Sequence, residues 1–496
     1  MEQIVDTVVA RLRAASSAPA SVPKPTPATS KPPAAVIDGV FRDMEDAIRA
    51  STAAQRTLVS LPLAARADLI DAIRKAGRDN GPDYARLEWE ETGLGKVEDN
   101  LKKVIASCSV MGMEDLGAEA FTGDMGLTVI ERIPYGVIAS INPVTNGAPS
   151  IIFNAIMMIS GGNTVINNPH PKTAKVSVRV IRDLNKAIVA AGGPPNCICC
   201  LEEPSVPSAQ FLMTHSDVKM IAVTGGHGVV KFATQTGKRV IAGGPGNPPV
   251  VVDETADLDR AADCIIEGAS FSNCTPCASE KELFVVESVA DSLKVRLKQR
   301  GAYELSPEQG AELVKVIFNK VNAPGTPGEI NMEYIGKPPS HILKSIGLDI
   351  DPETKIAILE TDFDHPLIWT EQIMPVIPLI RCADVCEAID RAVAAEQGNG
   401  HTMVIHSTNV KNLARMGSKA DCSAFVKNGS SLAGVGVTGE GYTSFHITTN
   451  GEGHTRPKTF TRIRRCVLND DFRLRLGSEE LDYPRSCGPA NKDSHS

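Results

Sequence analysis

The sequence predicts an α/β protein with two sheet-containing domains, on three observations. Between Leu127 and Gly243, short runs rich in Val and Ile alternate with helical stretches, the pattern of a doubly wound, Rossmann-type parallel sheet. A second region of the same character runs from Pro249 to about Ala433. A chain of 496 residues is also longer than one simple core accommodates. We therefore expect two or three packed domains.

The first 14 residues are predicted to form a short amphipathic helix. Apolar side chains recur there at helical spacing, at Ile4, Val5, Val8, Val9 and Leu12. Residues 15–36 hold six prolines among Ala, Ser, Thr and Lys and are predicted to be a linker. Because so short a helix is marginal alone in water, we expect it to dock onto another molecule. The alternative is a helix that folds back on its own globule.

The composition argues against several classes of protein. The 51 basic residues are outnumbered by 59 acidic ones, and the net charge of -8 argues against a nucleic-acid-binding surface. No apolar run approaches the roughly 18 residues of a membrane span, and the N-terminus lacks the apolar core of a secretory signal. Twelve irregularly spaced cysteines do not resemble a disulfide framework. We expect a cytoplasmic protein that does not enter a membrane.

Cys277 is the candidate nucleophile. It lies at the end of a loop of small residues that begins at Gly268, directly before a predicted buried strand. Cys274 is the rival nucleophile, and the two thiols could instead form a redox dithiol or half of a zinc site. No second ligand pair follows at comparable spacing, so we predict no metal site. The alternative interpretation of Cys277 is a buried core thiol.

Two loops supply candidate polar partners. Asn146 lies between a predicted strand and a helix, where its amide can donate to an oxyanion; the alternative is a turn former or helix N-cap. Thr224, Gly225 and Gly226 follow another predicted strand, and their amides could face a pyrophosphate at a helix N-terminus. Such a turn can also simply connect a strand to a helix.

In combination and in this order, these motifs resemble the aldehyde dehydrogenase superfamily. Within it, the run Cys277-Ala-Ser-Glu-Lys281 is similar to the Cys-x-x-Glu-Lys motif of the branch that transfers the acyl group to coenzyme A. This match favours Cys277 over Cys274. The resemblance implies an aldehyde dehydrogenase-like α/β fold, in which Cys277 is the catalytic nucleophile. Asn146 and the backbone N–H of Cys277 are then the oxyanion donors.

The same resemblance implies a site for NAD, with NADP not excluded. Glu371 matches the glutamate that holds the nicotinamide ribose, and Asn168-Pro-His-Pro171 replaces a motif with an acidic residue that grips the adenosine ribose in hydrolytic members. Without that acidic group, the groove is also expected to admit the phosphorylated ADP end of coenzyme A, the co-substrate. The implied cofactor-binding residues are Thr145, Pro169, His170, Pro171, Thr224, Gly225, Gly226, Gly243 and Glu371.

The glutamate that activates water in hydrolytic members is missing. Its position falls on Ile241 or Ala242, depending on the register, and neither side chain is a base. The implied reaction is therefore aldehyde + NAD + CoA giving acyl-CoA + NADH. Aromatic residues are only 4% of the chain, which favours a short aliphatic aldehyde such as propionaldehyde. The alternatives are a hydrolytic aldehyde dehydrogenase and a non-catalytic scaffold protein.

The chain looks most like the CoA-acylating propionaldehyde and acetaldehyde dehydrogenases of bacterial microcompartments. A short helix and a Pro/Ala linker direct such enzymes into a protein shell, which implies shell proteins as partners of residues 1–14 and a location inside a microcompartment. Family members form homodimers or homotetramers through a β-ribbon, matched here by residues 127–134 and 460–468. The implied organisation is an encapsulation helix (1–14), a linker (15–36), a dinucleotide-binding domain (37–245) with a hairpin near 124–135, a catalytic domain (246–445), an oligomerisation strand region (446–470) and a disordered tail (471–496).

Overall fold

The computed structural model describes residues 38–123, 125–449 and 451–469. The predicted helix 1–14, the linker 15–36 and the tail 471–496 lie outside these residues. The described helices are α1 (Met44–Ser60), α2 (Leu63–Asp79), α3 (Gly81–Thr92), α4 (Val97–Ser107), α5 (Gly147–Ser160), α6 (Ala174–Ala190), α7 (Val206–Thr214), α8 (His227–Gln235), α9 (Leu258–Ser270), α10 (Glu287–Gln299), α11 (Pro307–Ile317), α12 (Pro339–Lys344), α13 (Val385–Glu396), α14 (Val410–Lys419) and α15 (Ser431–Gly434).

The strands alternate with these helices over most of the chain. They are β1 (Val40–Phe41), β2 (Glu119–Gly123), β3 (Gly126–Pro134), β4 (Val137–Ile141), β5 (Thr164–Asn168), β6 (Ile198–Leu201), β7 (Val218–Thr224), β8 (Arg239–Gly243), β9 (Pro249–Val252), β10 (Glu282–Val286), β11 (Ala302–Leu305), β12 (Phe318–Lys320), β13 (Glu329–Ile330), β14 (Ile356–Glu360), β15 (Val376–Cys382), β16 (Thr402–His406), β17 (Ala424–Lys427) and β18 (Thr461–Leu468). The predicted α/β fold class is confirmed.

The first sheet is parallel and doubly wound, as the Val and Ile runs predict. Its strand order is β1-β6-β5-β4-β7-β8. From β4 the chain proceeds outward through β5 and β6, then returns to the other side of β4 for β7 and β8. The order therefore reverses between β4 and β7. Ligands of such sheets bind at the carboxyl ends of the strands at this point, which is where Asn146 and Gly225 follow β4 and β7.

Helix α5 joins β4 to β5 and is buried along its whole length. Its sequence, Gly-Ala-Pro-Ser-Ile-Ile-Phe-Asn-Ala-Ile-Met-Met-Ile-Ser, is apolar on almost every face, as expected of a helix enclosed on all sides. It packs against the sheet and against α2, α4 and α6. The N-terminus of α5 is consequently a fixed point in the core, immediately after Asn146.

The second sheet is also parallel, with strand order β11-β14-β15-β10-β9-β16-β17. Strands β9 and β10 are its central neighbours, and each of them is fully buried. Between them the chain forms α9 and then the loop that carries Cys277. Cys277 on this loop lines the same cavity as the residues that follow β4 and β7 at the switch point of the first sheet.

The segments expected to form a β-ribbon pair with each other. Strand β18 runs antiparallel to β3, with Thr461 opposite Pro134 and Leu468 opposite Leu127, and β2 extends the ribbon on the other side of β3. The ribbon exposes large apolar side chains at Phe121, Ile463 and Val467. Within the ranges described, no helix has the length and apolar character to cross a membrane.

Candidate active site

Two cavities meet at Cys277 and Asn146. The first cavity has a volume of about 560 Å³ and is lined by the loops that follow β4, β5 and β7. We call it the cofactor cavity because most of the predicted cofactor-binding residues line it. The predicted residues that it brings together are Thr145, Asn146, Pro169, His170, Pro171, Thr224, Gly225, Gly226, Cys277 and Glu371. Gly243 does not line it: Gly243 lies against His446, and the neighbouring Gly244 lines the cavity instead.

The second cavity, of about 490 Å³, is lined by the same two residues. We call it the substrate cavity; Lys102, Lys103, Phe271 and Val435 are among its lining residues. Asn146 and Cys277 line both cavities. A thiol that lines both cavities can contact a ligand in each of them.

The loop before Cys277 has an unusual backbone. Ser272, Asn273 and Cys274 have φ angles of 51°, 53° and 62°, although none of them is glycine. Successive left-handed residues of this kind cost free energy and persist only where other contacts impose them. Here the Asn273 side-chain amide donates to the carbonyls of Gly95 and Gly336, at 3.3 and 2.9 Å. The loop is therefore held by distant segments.

Lys281 holds this loop through hydrogen bonds from its side chain. Its fully buried ammonium donates to the Cys274 carbonyl at 2.9 Å and contacts the Cys274 sulfur at 3.3 Å and the Pro276 carbonyl at 3.4 Å. Burial lowers the pKa of Lys281, whereas Cys274 and Glu371 raise it. The raising effects together are larger, so the pKa lies above its ordinary value. The sequence motif contained Lys281, but its contacts with the loop emerge only from the structure.

The electrostatics keep Cys277 protonated near neutral pH in the free enzyme. Burial, followed by the nearby Glu371 carboxylate, raises the pKa of the Cys277 thiol to about 12, and the opposing effect of Lys281 is smaller. Burial likewise raises the pKa of Glu371 to about 7. A thiol with so high a pKa is a weak nucleophile until another group takes its proton.

His401 is a functional candidate that sequence reasoning missed. Its imidazole is buried and lies close to Gly246, which also adjoins the Cys277 carbonyl. Burial lowers the pKa of His401 to about 3, so the ring is neutral at physiological pH. The Nδ1 atom lies 2.9 Å from the Thr402 hydroxyl, and Nε2 has no protein partner among the described residues. His401 is a candidate only because it lies beside the Cys277 loop, and no local sequence pattern predicted that position.

The described residues contain no group of three or more His, Cys, Asp or Glu side chains arranged to hold a metal ion. Cys274 is buried, its sulfur accepts a hydrogen bond from Lys281, and it does not line either cavity. Between the two thiols of the Cys-x-x-Cys run, only Cys277 is thus accessible from the cavities.

Comparisons with known proteins agree with this geometry. The profile of the aldehyde dehydrogenase family matches residues 14–309. The chain is 44% identical to the acetaldehyde dehydrogenase (acetylating) EutE of Escherichia coli over 96% of this chain and 99% of that protein. It is 39% identical to the propanal dehydrogenase (CoA-propanoylating) of Salmonella typhimurium over 88% of this chain and 93% of that protein.

Solved structures give the same result. The propionaldehyde dehydrogenase of Rhodopseudomonas palustris, with bound CoA and an acylated cysteine, superimposes with a TM-score of 0.85 at 39% identity, covering 89% of this chain and 100% of that one. A propionaldehyde dehydrogenase from the fucose utilisation microcompartment of Clostridium phytofermentans also gives 0.85 at 39% identity, over 88% and 100%. The resemblance inferred from the motifs is confirmed: the chain belongs to the aldehyde dehydrogenase family.

Proposed function

We propose that this protein is a CoA-acylating aldehyde dehydrogenase, which oxidises a short aliphatic aldehyde with NAD and CoA to acyl-CoA and NADH. The observation that carries the proposal is the position of Cys277 at the junction of the two cavities. The names of the relatives, acetylating and CoA-propanoylating dehydrogenases, support the same reaction.

Cys277 is the nucleophile in this proposal, and Asn146 assists it. The Cys277 thiol transfers its proton to solvent water, and its sulfur adds to the aldehyde carbonyl carbon, forming a thiohemiacetal on the enzyme. The Asn146 amide and the Cys277 backbone N–H stabilise the negative charge that develops on the aldehyde oxygen. NAD, when bound, accepts the hydride that leaves this carbon. A thioester then remains on Cys277.

The absence of a base on β8 supports transfer of the acyl group to a thiol. Ile241 and Ala242 are both buried in the apolar cores beside the sheet, and neither lines a cavity. Water at the thioester therefore has no glutamate from β8 to activate it. The CoA thiol gives up its proton and its sulfur attacks the acyl carbon. The Cys277 sulfur departs as a thiolate, which takes up a proton, and acyl-CoA leaves.

The cofactor cavity suits a dinucleotide. Its volume lies within the range of about 300–1,000 Å³ that is typical of ligand sites. Helix α8 begins after Gly226 without a side-chain cap, which leaves N–H groups for a pyrophosphate. Glu371 is the one acidic residue among those described that line the cavity, so a phosphate beside Pro169, His170 and Pro171 meets no carboxylate. We propose NAD as the cofactor, with NADP also accommodated, and CoA in the same groove.

The first expected result is that sustained NADH production from propionaldehyde and NAD requires CoA. Without CoA, each active site should release about one NADH and then stop, because the thioester on Cys277 has no efficient acceptor. The measurement is NADH absorbance with and without CoA, against a known concentration of sites. Continuous turnover without CoA would contradict the acylating function and favour the hydrolytic alternative.

We further propose that residues 1–14 bind shell proteins of a bacterial microcompartment and that the β-ribbon joins subunits into a homodimer or homotetramer. The source of one similar structure, a fucose utilisation microcompartment, supports this location in the cell. The exposed apolar residues of the ribbon support its role in assembly.

Deletion of residues 1–14 is expected to leave turnover unchanged and to abolish co-purification with shell proteins. The sequence supports this outcome because a proline-rich linker follows the helix. The measurement compares full-length and truncated proteins, co-expressed with a shell, for both kcat and shell recovery. Loss of kcat in the truncated protein would show that the helix belongs to the enzyme fold.

A further inference from the structure

Helix α5 begins at the active site, and its N-terminus is capped in an unusual way. Asn146 occupies the N-cap position, where an asparagine normally accepts a hydrogen bond from the second or third N–H of the helix. Here the Asn146 side chain makes no such bond, and its Oδ1 is buried without a partner among the described residues. Another group must therefore satisfy the first N–H groups of α5.

Glu88, on α3, is that group. One carboxylate oxygen accepts from Gly147 N at 2.8 Å, and the other accepts from Ala148 N at 3.3 Å. The Glu88 side chain is 2% exposed. Burial raises the pKa of Glu88, while Lys103 and these two N–H groups oppose that rise. The carboxylate thus has the partners that a buried anion requires.

Lys103, on α4, holds the residue on the other side of Asn146. Lys103 is 3% exposed, and its ammonium donates to the Thr145 carbonyl at 2.9 Å. Lys103 therefore holds the backbone directly before Asn146, and Glu88 holds the backbone directly after it. Neither side chain bonds to the Asn146 amide itself among the contacts of the described residues.

The position of Glu88 within α3 indicates that it serves α5 rather than its own helix. The last turn of α3 carries Glu88, Glu90 and Glu91 and has no basic residue. Carboxylates at a helix C-terminus oppose the helix dipole. Glu91 uses its carboxylate in the same way as Glu88, accepting from Lys175 N and Val176 N at the start of α6, at 2.8 and 2.9 Å. One turn of α3 thus caps the two helices that follow β4 and β5.

We propose that Glu88 is a positioning residue for the oxyanion donor: it caps α5 in place of Asn146, so that the Asn146 amide stays free to face the reacting carbonyl beside Cys277. Lys103 completes the arrangement by fixing the Thr145 carbonyl. This inference rests on the proposed function, because the role of Asn146 belongs to that function.

The test is a double-mutant cycle on the single NADH released without CoA. In Glu88→Gln, the new amide cannot accept from both N–H groups, and Asn146 is expected to turn towards the helix as an ordinary cap. The rate of the NADH burst should fall by about 10- to 100-fold, as for a misplacement of about 1 Å in an active site. The KM for aldehyde and NAD should change little, because Glu88 lines neither cavity. In an Asn146→Ala background, Glu88→Gln should lower the rate of the NADH burst by less than about 3-fold.

Glu91→Gln is the matched control. It removes an equivalent cap from α6 and should lower the Tm as Glu88→Gln does, while the burst rate stays near that of the wild type. Glu88→Asp is the second variant, in case Glu88→Gln folds poorly. Its shorter carboxylate cannot reach both N–H groups, and its effect should also largely disappear in the Asn146→Ala background.

The outcomes separate this inference from the proposed function. A wild-type burst rate in Asn146→Ala would overturn the role of Asn146 and the role of Glu88 together. A slow Asn146→Ala enzyme with a wild-type Glu88→Gln enzyme would overturn only the role of Glu88. Equal losses from Glu88→Gln in the two backgrounds would also overturn it, because they would show an effect on the fold that does not pass through Asn146.

Discussion

Replacing Cys277 with alanine is expected to abolish NADH formation, while Cys274→Ala should retain most of it. Loss of the Cys277 nucleophile removes the covalent step and should lower kcat by on the order of 10,000-fold or more. Cys274 contacts Lys281 and the Glu280 carbonyl and lines neither cavity, so its loss should cost about 1 kcal/mol of folding stability. The measurement is kcat and Tm for both variants.

Alkylation with iodoacetamide gives a second measurement on the same pair. Since burial and Glu371 raise the pKa of Cys277 to about 12, the thiolate fraction should rise about tenfold per pH unit between pH 7 and 10 without a plateau. This pH-dependent labelling should persist in Cys274→Ala and disappear at this site in Cys277→Ala. An inactive Cys274→Ala beside an active Cys277→Ala would reverse the assignment of the nucleophile.

Gly246→Ala is expected to lower turnover by roughly 100-fold, through displacement of the Cys277 loop or of His401. A methyl group at this position would lie 2.6 Å from the Cys277 carbonyl oxygen and 2.9 Å from Cγ of His401. Neither neighbour is the end of a flexible side chain: one is backbone, and the other is a ring that is 1% exposed. One of them must move, and overpacking of this kind typically costs about 1–3 kcal/mol.

Gly117→Ala is the control for this substitution. The added methyl group at Gly117 would have no heavy atom within 4 Å, so kcat and Tm should remain close to those of the wild type. The checks for Gly246→Ala are kcat for the complete reaction and the rate of Cys277 alkylation at one fixed pH. A Gly246→Ala enzyme with wild-type values of both would show that the loop accommodates the methyl group without moving the thiol.

Much of the fold was predictable because its signals are local. Strands such as β4, Val-Ile-Ala-Ser-Ile, and β10, Glu-Leu-Phe-Val-Val, are buried on both faces and therefore appear as short apolar runs. The Cys277 motif was recognisable for a similar reason, since its defining residues are neighbours in the chain. The family resemblance implied that residues 127–134 and 460–468 belong to a β-ribbon, and the structure pairs the two segments as β3 and β18.

The missed residues have contacts that are distant in sequence. Glu88 caps a helix 59 residues away, and Lys103 bonds to a carbonyl 42 residues away. In the sequence, Glu88 is one of several acidic residues on an amphipathic helix, a pattern typical of a solvent-facing surface. His401 similarly follows a Gly-Asn-Gly run, and nothing in that local sequence indicates that His401 lies near Cys277.

The sequence alone determined the α/β architecture, the family, the identity of the candidate nucleophile and the lack of a water-activating glutamate on β8. The architecture follows from the short apolar runs and the helical stretches between them. The other three follow from the resemblance of short motifs to those of the aldehyde dehydrogenase superfamily. Only the tertiary structure decided which thiol of the Cys-x-x-Cys run lines the cavities and what holds the strained loop before Cys277. It also decided why the Asn146 side chain makes no capping hydrogen bond to α5. The physical reason is that burial, pKa and hydrogen-bond partners are properties of packed surroundings, and packing brings together residues from α3, α4, α5 and the Cys277 loop that no local pattern connects.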